Sequence, residues 1–226
     1  MITRVGEFGL AQSTPRWLNT LMQPRFIYFD MGNVLLPFSH EKMAEQMARV
    51  AGSEPRRAWQ ILFEDGLEWA FERGELKSEQ FYGRFCEAAG SRPDMTALEE
   101  AANDIFEGNA PIMGLVGRLF AAGYRLGVCS NTSPSHWDYC TRRFGYLTTM
   151  FAAYALSFRL NAIKPDPAFY AGATKVAGVE PAKILFADDR ADNVAAAKTA
   201  GWDAVRYESV SQLNQELRSR GVVLNY

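Results

Sequence analysis

Short apolar runs that stop at a polar residue and give way to a helical pattern set the tightest limit on the fold of this chain. FIYF ends at Asp30, RLGVC at Ser130 and ILFA at Asp188. Runs this short, apolar at successive rather than alternate positions, suit strands buried on both faces. The pattern predicts strands over 26–29, 125–129, 184–187 and 204–207, with a weaker one over 153–156. Helix punctuation falls between them. Ser133-Pro134 and Asp166-Pro167 each put a capping residue before a proline at the first helical position. Gly123, Gly178 and Gly201 follow helical runs, as helix stops do. Such alternation builds βα units, and hence a parallel sheet covered by helices.

Between 38 and 109 the pattern changes. MAEQMARVAG, RAWQILFEDGLEWAFERG, EQFYGRFCEAAG and MTALEEAANDIFEG are all helical in period, with no strand signal between them. The expected organisation is therefore an α/β core over 25–37 and 111–226, a helical cap over 38–110, and an N-terminal extension of unknown role over 1–24. The extension could be a weak transit-like leader, an ordered arm, or sequence upstream of a start at Met22.

Composition narrows the class. A net charge of -2 with scattered Lys and Arg gives no basic stripe for nucleic acid. The most apolar stretch, 112–130, is broken by Arg118 and Arg125, so no membrane span is expected. Cys86, Cys129 and Cys140 are odd in number and far apart, which suits a cytoplasmic protein better than a disulfide framework. A monomer is expected.

In an open parallel sheet, ligands bind beyond the carboxyl ends of the strands. Asp30, Ser130 and the pair Asp188-Asp189 all follow predicted strands, and Lys164 in NAIKPD can reach the same edge. Three carboxylates in one place repel unless a cation joins them, and oxygen ligands favour Mg²⁺. An ionised aspartate can attack phosphorus, and an ammonium can neutralise the transferred group. These parts suit phosphoryl transfer. Taken singly, an aspartate after a strand is more often a turn residue, and a lysine is usually at the surface. The aromatics Trp59, Phe63, Trp69, Phe71, Phe81 and Phe85 have the spacing of a helical core, with one or two free to line a pocket.

FDMGNV, CSNT, KPDP and DDRADN occur in that order, and together they resemble the four motifs of the haloacid dehalogenase superfamily. The resemblance extends from about Phe26 to the end of the chain. It implies a Rossmann-like doubly wound parallel sheet with an inserted α-helical cap. SNTSPSH and the cap segment FERGELKSEQF are similar to the bacterial α-D-glucose-1-phosphate phosphatase group. Carried over residue by residue, the resemblance implies that Asp30 is the nucleophile and that Lys164 bridges it to the phosphoryl group. Ser130 and Asn131 would hold that group, with His136 near the substrate. Mg²⁺ would be held by Asp30, the Gly32 carbonyl and Asp189, with Asp188 behind them. Asn161 stands where relatives carry glycine, a position asparagine tolerates because it enters the left-handed region readily.

Gly32 departs from the pattern, because most phosphatases of this superfamily have a second aspartate there as acid–base. Three explanations stand at this level. An anomeric leaving group needs less help; another donor, His136 or His40, serves instead; or the protein does not turn over. The first two together are the expectation. It is a Mg²⁺-dependent phosphatase of small phosphorylated metabolites, sugar phosphates such as α-D-glucose 1-phosphate foremost. The rivals are a metal-independent 2-haloacid dehalogenase and a catalytically weak binding or regulatory domain.

Overall fold

The computed structural model describes residues 23–224, so nearly all of the extension expected over 1–24 lies outside the described residues. Five strands form one parallel sheet: β1 (Phe26–Phe29), β2 (Leu126–Ser130), β3 (Ala153–Leu156), β4 (Ile184–Asp188) and β5 (Asp203–Arg206). β2 runs one residue beyond the predicted end because Ser130 still pairs with Leu156. β5 starts one residue early because Asp203 pairs with Leu185.

The helices, in chain order, are α1 (His40–Ala51), α2 (Pro55–Trp59), α3 (Leu67–Glu72), α4 (Ser78–Ala89), α5 (Met95–Asn103), α6 (Ala110–Ala121), α7 (Pro134–Arg143), α8 (Tyr146–Thr149), α9 (Ser157–Leu160), α10 (Pro167–Ala177), α11 (Ala191–Thr199) and α12 (Val210–Ser219). A π turn, Gln60–Glu64, continues α2. The starts read from sequence are made by side chains: the Ser133 hydroxyl accepts from His136 N and the Asp166 carboxylate from Ala168 N. Asn161 ends α9 at φ 51, the left-handed turn expected of it. No helix among the described residues is long and apolar enough to cross a membrane.

Side chains alternate along each strand, so the sheet has two apolar faces. Phe26 and Tyr28 of β1 pack with Cys129, Phe186, Phe169 and Tyr170 on one face. Ile27 and Phe29 pack with Val128, Leu185 and Leu115 on the other. That second cluster runs without a break into the cap, through Met43, Met47, Leu62, Phe71, Phe85 and Leu98. The chain enters and leaves the cap side by side. Asn109 Nδ2 donates to the Val34 carbonyl at 3.0 Å, and Glu107 N to Pro37 O at 2.9 Å.

Strand order β3-β2-β1-β4-β5 decides where a ligand can sit. The chain moves outward from β1 to β2 and β3, then returns across β1 to place β4 and β5 on its other side. The connections therefore diverge between β1 and β4, and a crevice opens past their carboxyl ends. Asp30 follows β1, and Asp188 closes β4.

Candidate active site

Backbone pairing fixes Asp30 first: its N–H donates to the Ala187 carbonyl at 2.9 Å, which holds the end of β1 against β4. Its Oδ1 accepts from Met31 N at 2.7 Å and from Lys164 Nζ at 3.0 Å. Lys164 Nζ also donates to Asp188 Oδ2 at 2.7 Å and to the Cys129 carbonyl at 3.0 Å. All three of its N–H bonds are thus engaged, and the side chain is buried.

Asp188 is fully enclosed, and both of its oxygens are taken. Oδ1 accepts from Arg190 N at 2.8 Å, Oδ2 from Lys164, and both from Asn193 Nδ2 at 3.1 Å. It is placed to orient Lys164 rather than to bind a cation directly. Asp189, half-buried, has no hydrogen bond to its carboxylate from another residue among the described ones. One carboxylate oxygen from each of Asp30, Asp188 and Asp189 lies within 4.8 Å of the others.

The electrostatics follow from this crowding. Burial pushes the Asp30 carboxyl up to about 8; Lys164 opposes this, while Asp188 and Asp189 add to it. Burial also raises Asp189, helped by Asp188. Burial works against the Lys164 charge, but Asp188 and Asp30 outweigh it and hold the ammonium protonated. With all three carboxylates ionised beside one ammonium the site would carry excess negative charge, which a divalent cation would match. The donor set is all oxygen, as Mg²⁺ prefers, so the residues fit that ion.

A cavity of about 480 Å³ opens above these groups. Asp30, Gly32, Asn131, Lys164 and Asp189 form its core side, and His40, Trp69 and Glu72 its cap side. The site thus brings together Asp30, Gly32, Lys164 and Asp189 as the sequence suggested. Ser130 is close by but buried, its hydroxyl donating to the Asn131 carbonyl at 3.0 Å.

Two residues expected at the substrate have other side-chain partners. Asn131 lines the cavity, but its amide is spent on Lys164: Oδ1 accepts from Lys164 N at 2.7 Å and Nδ2 donates to Lys164 O at 3.0 Å. It clamps the lysine's backbone. His136 is not in the cavity at all. Packing of α7 under α5 buries it, with Nε2 3.3 Å from the Ala102 carbonyl and Nδ1 3.8 Å from Glu68 Oε1. Burial lowers its pKa to about 4, so it stays neutral.

Sequence reasoning missed three groups. Asn193, the last residue of DDRADN, orients Asp188 through its amide. Phe38 covers Gly32. Glu72 sits on the buried face of α3, four residues after the equally buried Glu68. The signal was present in LEWAFE, where both acids share a stripe with Leu67 and Phe71 instead of opposing it.

A capped parallel α/β sheet with a lysine-bound aspartate after its first strand, faced by an acid pair, defines a class of hydrolase. The chain belongs to the haloacid dehalogenase-like hydrolase family, whose pattern matches residues 25–201. Solved structures share the fold. A family enzyme from Bacteroides thetaiotaomicron superposes with a TM-score of 0.76 at 23% identity, over 85% of this chain and 98% of its own. The same enzyme in complex with magnesium and inorganic phosphate gives 0.74 at 23% identity, over 84% and 98%. The L-2-haloacid dehalogenase of Xanthobacter autotrophicus, with chloropropionic acid covalently bound, gives 0.61 at 21% identity, over 89% and 85%.

Proposed function

We propose that this protein is a Mg²⁺-dependent phosphatase of small phosphorylated metabolites that works through an aspartyl phosphate on Asp30. The observation that carries this reading is the gathering of three carboxylates, Asp30, Asp188 and Asp189, at the sheet edge, where Lys164 pairs with Asp30 and Asp188. A halide-releasing site has no use for a third carboxylate and a cation. The magnesium and phosphate held by the Bacteroides thetaiotaomicron enzyme point the same way.

Asp30, the Gly32 carbonyl and Asp189 would hold the ion. Bound there, Mg²⁺ supplies positive charge to the phosphoryl oxygens and keeps Asp30 ionised. Asp30 Oδ attacks phosphorus as the ester P–O bond breaks, and the leaving oxygen departs as an alcohol once protonated. Lys164, fixed by Asp188 and by the Asn131 clamp, faces the charge that develops on the phosphoryl group. Water then attacks phosphorus, and the Asp30–phosphorus bond breaks.

Sugar phosphates are the first substrates to consider, with α-D-glucose 1-phosphate leading, because its anomeric oxygen leaves more easily than an ordinary alcohol. Trp69 and His40 offer apolar ring faces in the cavity, a chemistry suited to a sugar. The test is phosphate release from sugar 1-phosphates, sugar 6-phosphates and nucleotides, with Mg²⁺ and with EDTA. Release that needs the metal and favours sugar phosphates is expected. Halide release from 2-haloacids in EDTA would instead establish the dehalogenase reading.

A further inference from the structure

The phosphatase reaction, on which the following rests, needs a proton for the leaving oxygen, and the groups nearest Asp30 do not offer one. Lys164 is held by three acceptors. Position 32 is closed to a side chain. A Cβ there would meet Phe38 Cε1 at 2.6 Å and Cδ1 at 3.2 Å. The Phe38 ring is itself held between His40 and Phe106, at centroid distances of 4.9 and 5.6 Å. An aromatic edge thus occupies the space that an acid at position 32 would need.

The remaining acids and bases of the cavity are few. Arg190 is paired with Asp192 at 2.7 Å, and Asp189 belongs to the cation. His40 is embedded among rings, 4.5 Å from Phe63 and 5.8 Å from Trp69, and burial lowers its pKa, so at neutral pH it has no proton to give. Glu72 is different. It ends α3 on the cap side of the cavity, is only 7% exposed, and among the described residues no hydrogen bond or ion pair engages its carboxyl. A carboxyl buried without donors is held most easily as the neutral acid. Burial pushes it up to about 7, against the pull of Lys164 and Arg73. Two residues on, Gly74 seats this stretch against the core, its α-carbon so near Phe158 that a Cβ would lie 2.5 Å from the Phe158 carbonyl oxygen.

We propose that Glu72 is the general acid–base of this site, delivered from the cap in place of an acid at position 32. In the first step the ester P–O bond breaks while the bond between Asp30 Oδ and phosphorus forms, and the Glu72 proton goes to the leaving oxygen. In the second, a water oxygen attacks phosphorus and its proton passes to the Glu72 carboxylate. The Asp30–phosphorus bond breaks with its electron pair returning to Asp30. Both residues end as they began, and the products are an alcohol and inorganic phosphate.

The test compares first-turnover cleavage of an alkyl phosphate, whose leaving oxygen needs a proton, with that of p-nitrophenyl phosphate, whose leaving group does not. Both are measured with Mg²⁺ for the wild type, Glu72→Gln and Glu72→Asp. Glu72→Gln is expected to lose on the order of 10²-fold on the alkyl phosphate, and at least about tenfold less on the aryl one. Glu72→Asp keeps the acid on a shorter arm, so its two losses lie closer together. Equal losses on both substrates, or none on the alkyl phosphate, overturn the assignment and leave the phosphatase reading standing. The same leaving-group signature in His40→Gln but not in Glu72→Gln overturns it in favour of His40. A wild type that releases phosphate from neither substrate overturns both readings.

Discussion

Lys164 and His136 show how burial decides what a charged or titratable side chain can do. Lys164 is enclosed yet keeps its proton, because two carboxylates and a carbonyl replace the water it lost. His136 is equally enclosed but has the Ala102 carbonyl, the edge of Glu68 and the Phe106 ring around it, and burial holds its pKa at about 4. An unfolded histidine titrates near 6.5. Between those values the unfolded chain binds a proton that the folded protein does not, so stability falls as pH drops from about 6.5 to about 4. The slope from one such group is at most about 1.4 kcal/mol per pH unit. Glu68 and Glu72, both raised by burial, tilt the curve the other way, so the comparison must be variant against wild type. Urea unfolding of His136→Gln across that window should show the acid loss reduced by up to that slope. An identical pH dependence in the two proteins would mean that His136 is protonated in the fold.

At the scale of the element, the cap shares its apolar core with the sheet and also meets it through a tight approach at Gly74. The turn after α3 takes φ +73 at Gly74, and its α-carbon presses on the backbone at Phe158 in α9. An alanine there pays the left-handed penalty, about 1–2 kcal/mol. It must also displace a backbone carbonyl that its Cβ would approach to 2.5 Å. Gly74→Ala should therefore lower stability by about 2 kcal/mol or more in urea unfolding. Loss of turnover should accompany it, since Glu72 and Trp69 line the cavity from this side. A variant as stable and as active as wild type would show that the cap is not seated through this turn. The turn was quoted from the sequence only as a likeness to relatives. Its contact with α9 joins residues far apart in the chain, and no local pattern reveals that.

Across the whole molecule, what could be read from the sequence was whatever repeats locally. Buried strands announce themselves as apolar runs, and their order past Asp30, Ser130 and Asp188 was enough to gather Asp30, Lys164 and the acid pair at one edge. The helical insertion was equally plain from its period. Features that depend on which atoms meet in space stayed hidden. Nothing in SNT tells that the Asn131 amide is consumed by the backbone of Lys164, or in SPSH that packing turns His136 away from the cavity. The ring of Phe38 over Gly32 and the buried acid of Glu72 at the cavity come from the packing of the cap on the core. The measurement that reaches furthest is mass spectrometry of the protein quenched in acid during turnover of a sugar phosphate with Mg²⁺. One phosphoryl group on the peptide that carries Asp30, absent in EDTA and absent in an Asp30→Asn variant that releases no phosphate, is the expected result. Phosphate release that persists in Asp30→Asn, with no adduct on that peptide in the wild type, would contradict nucleophilic attack by Asp30 and the function built on it.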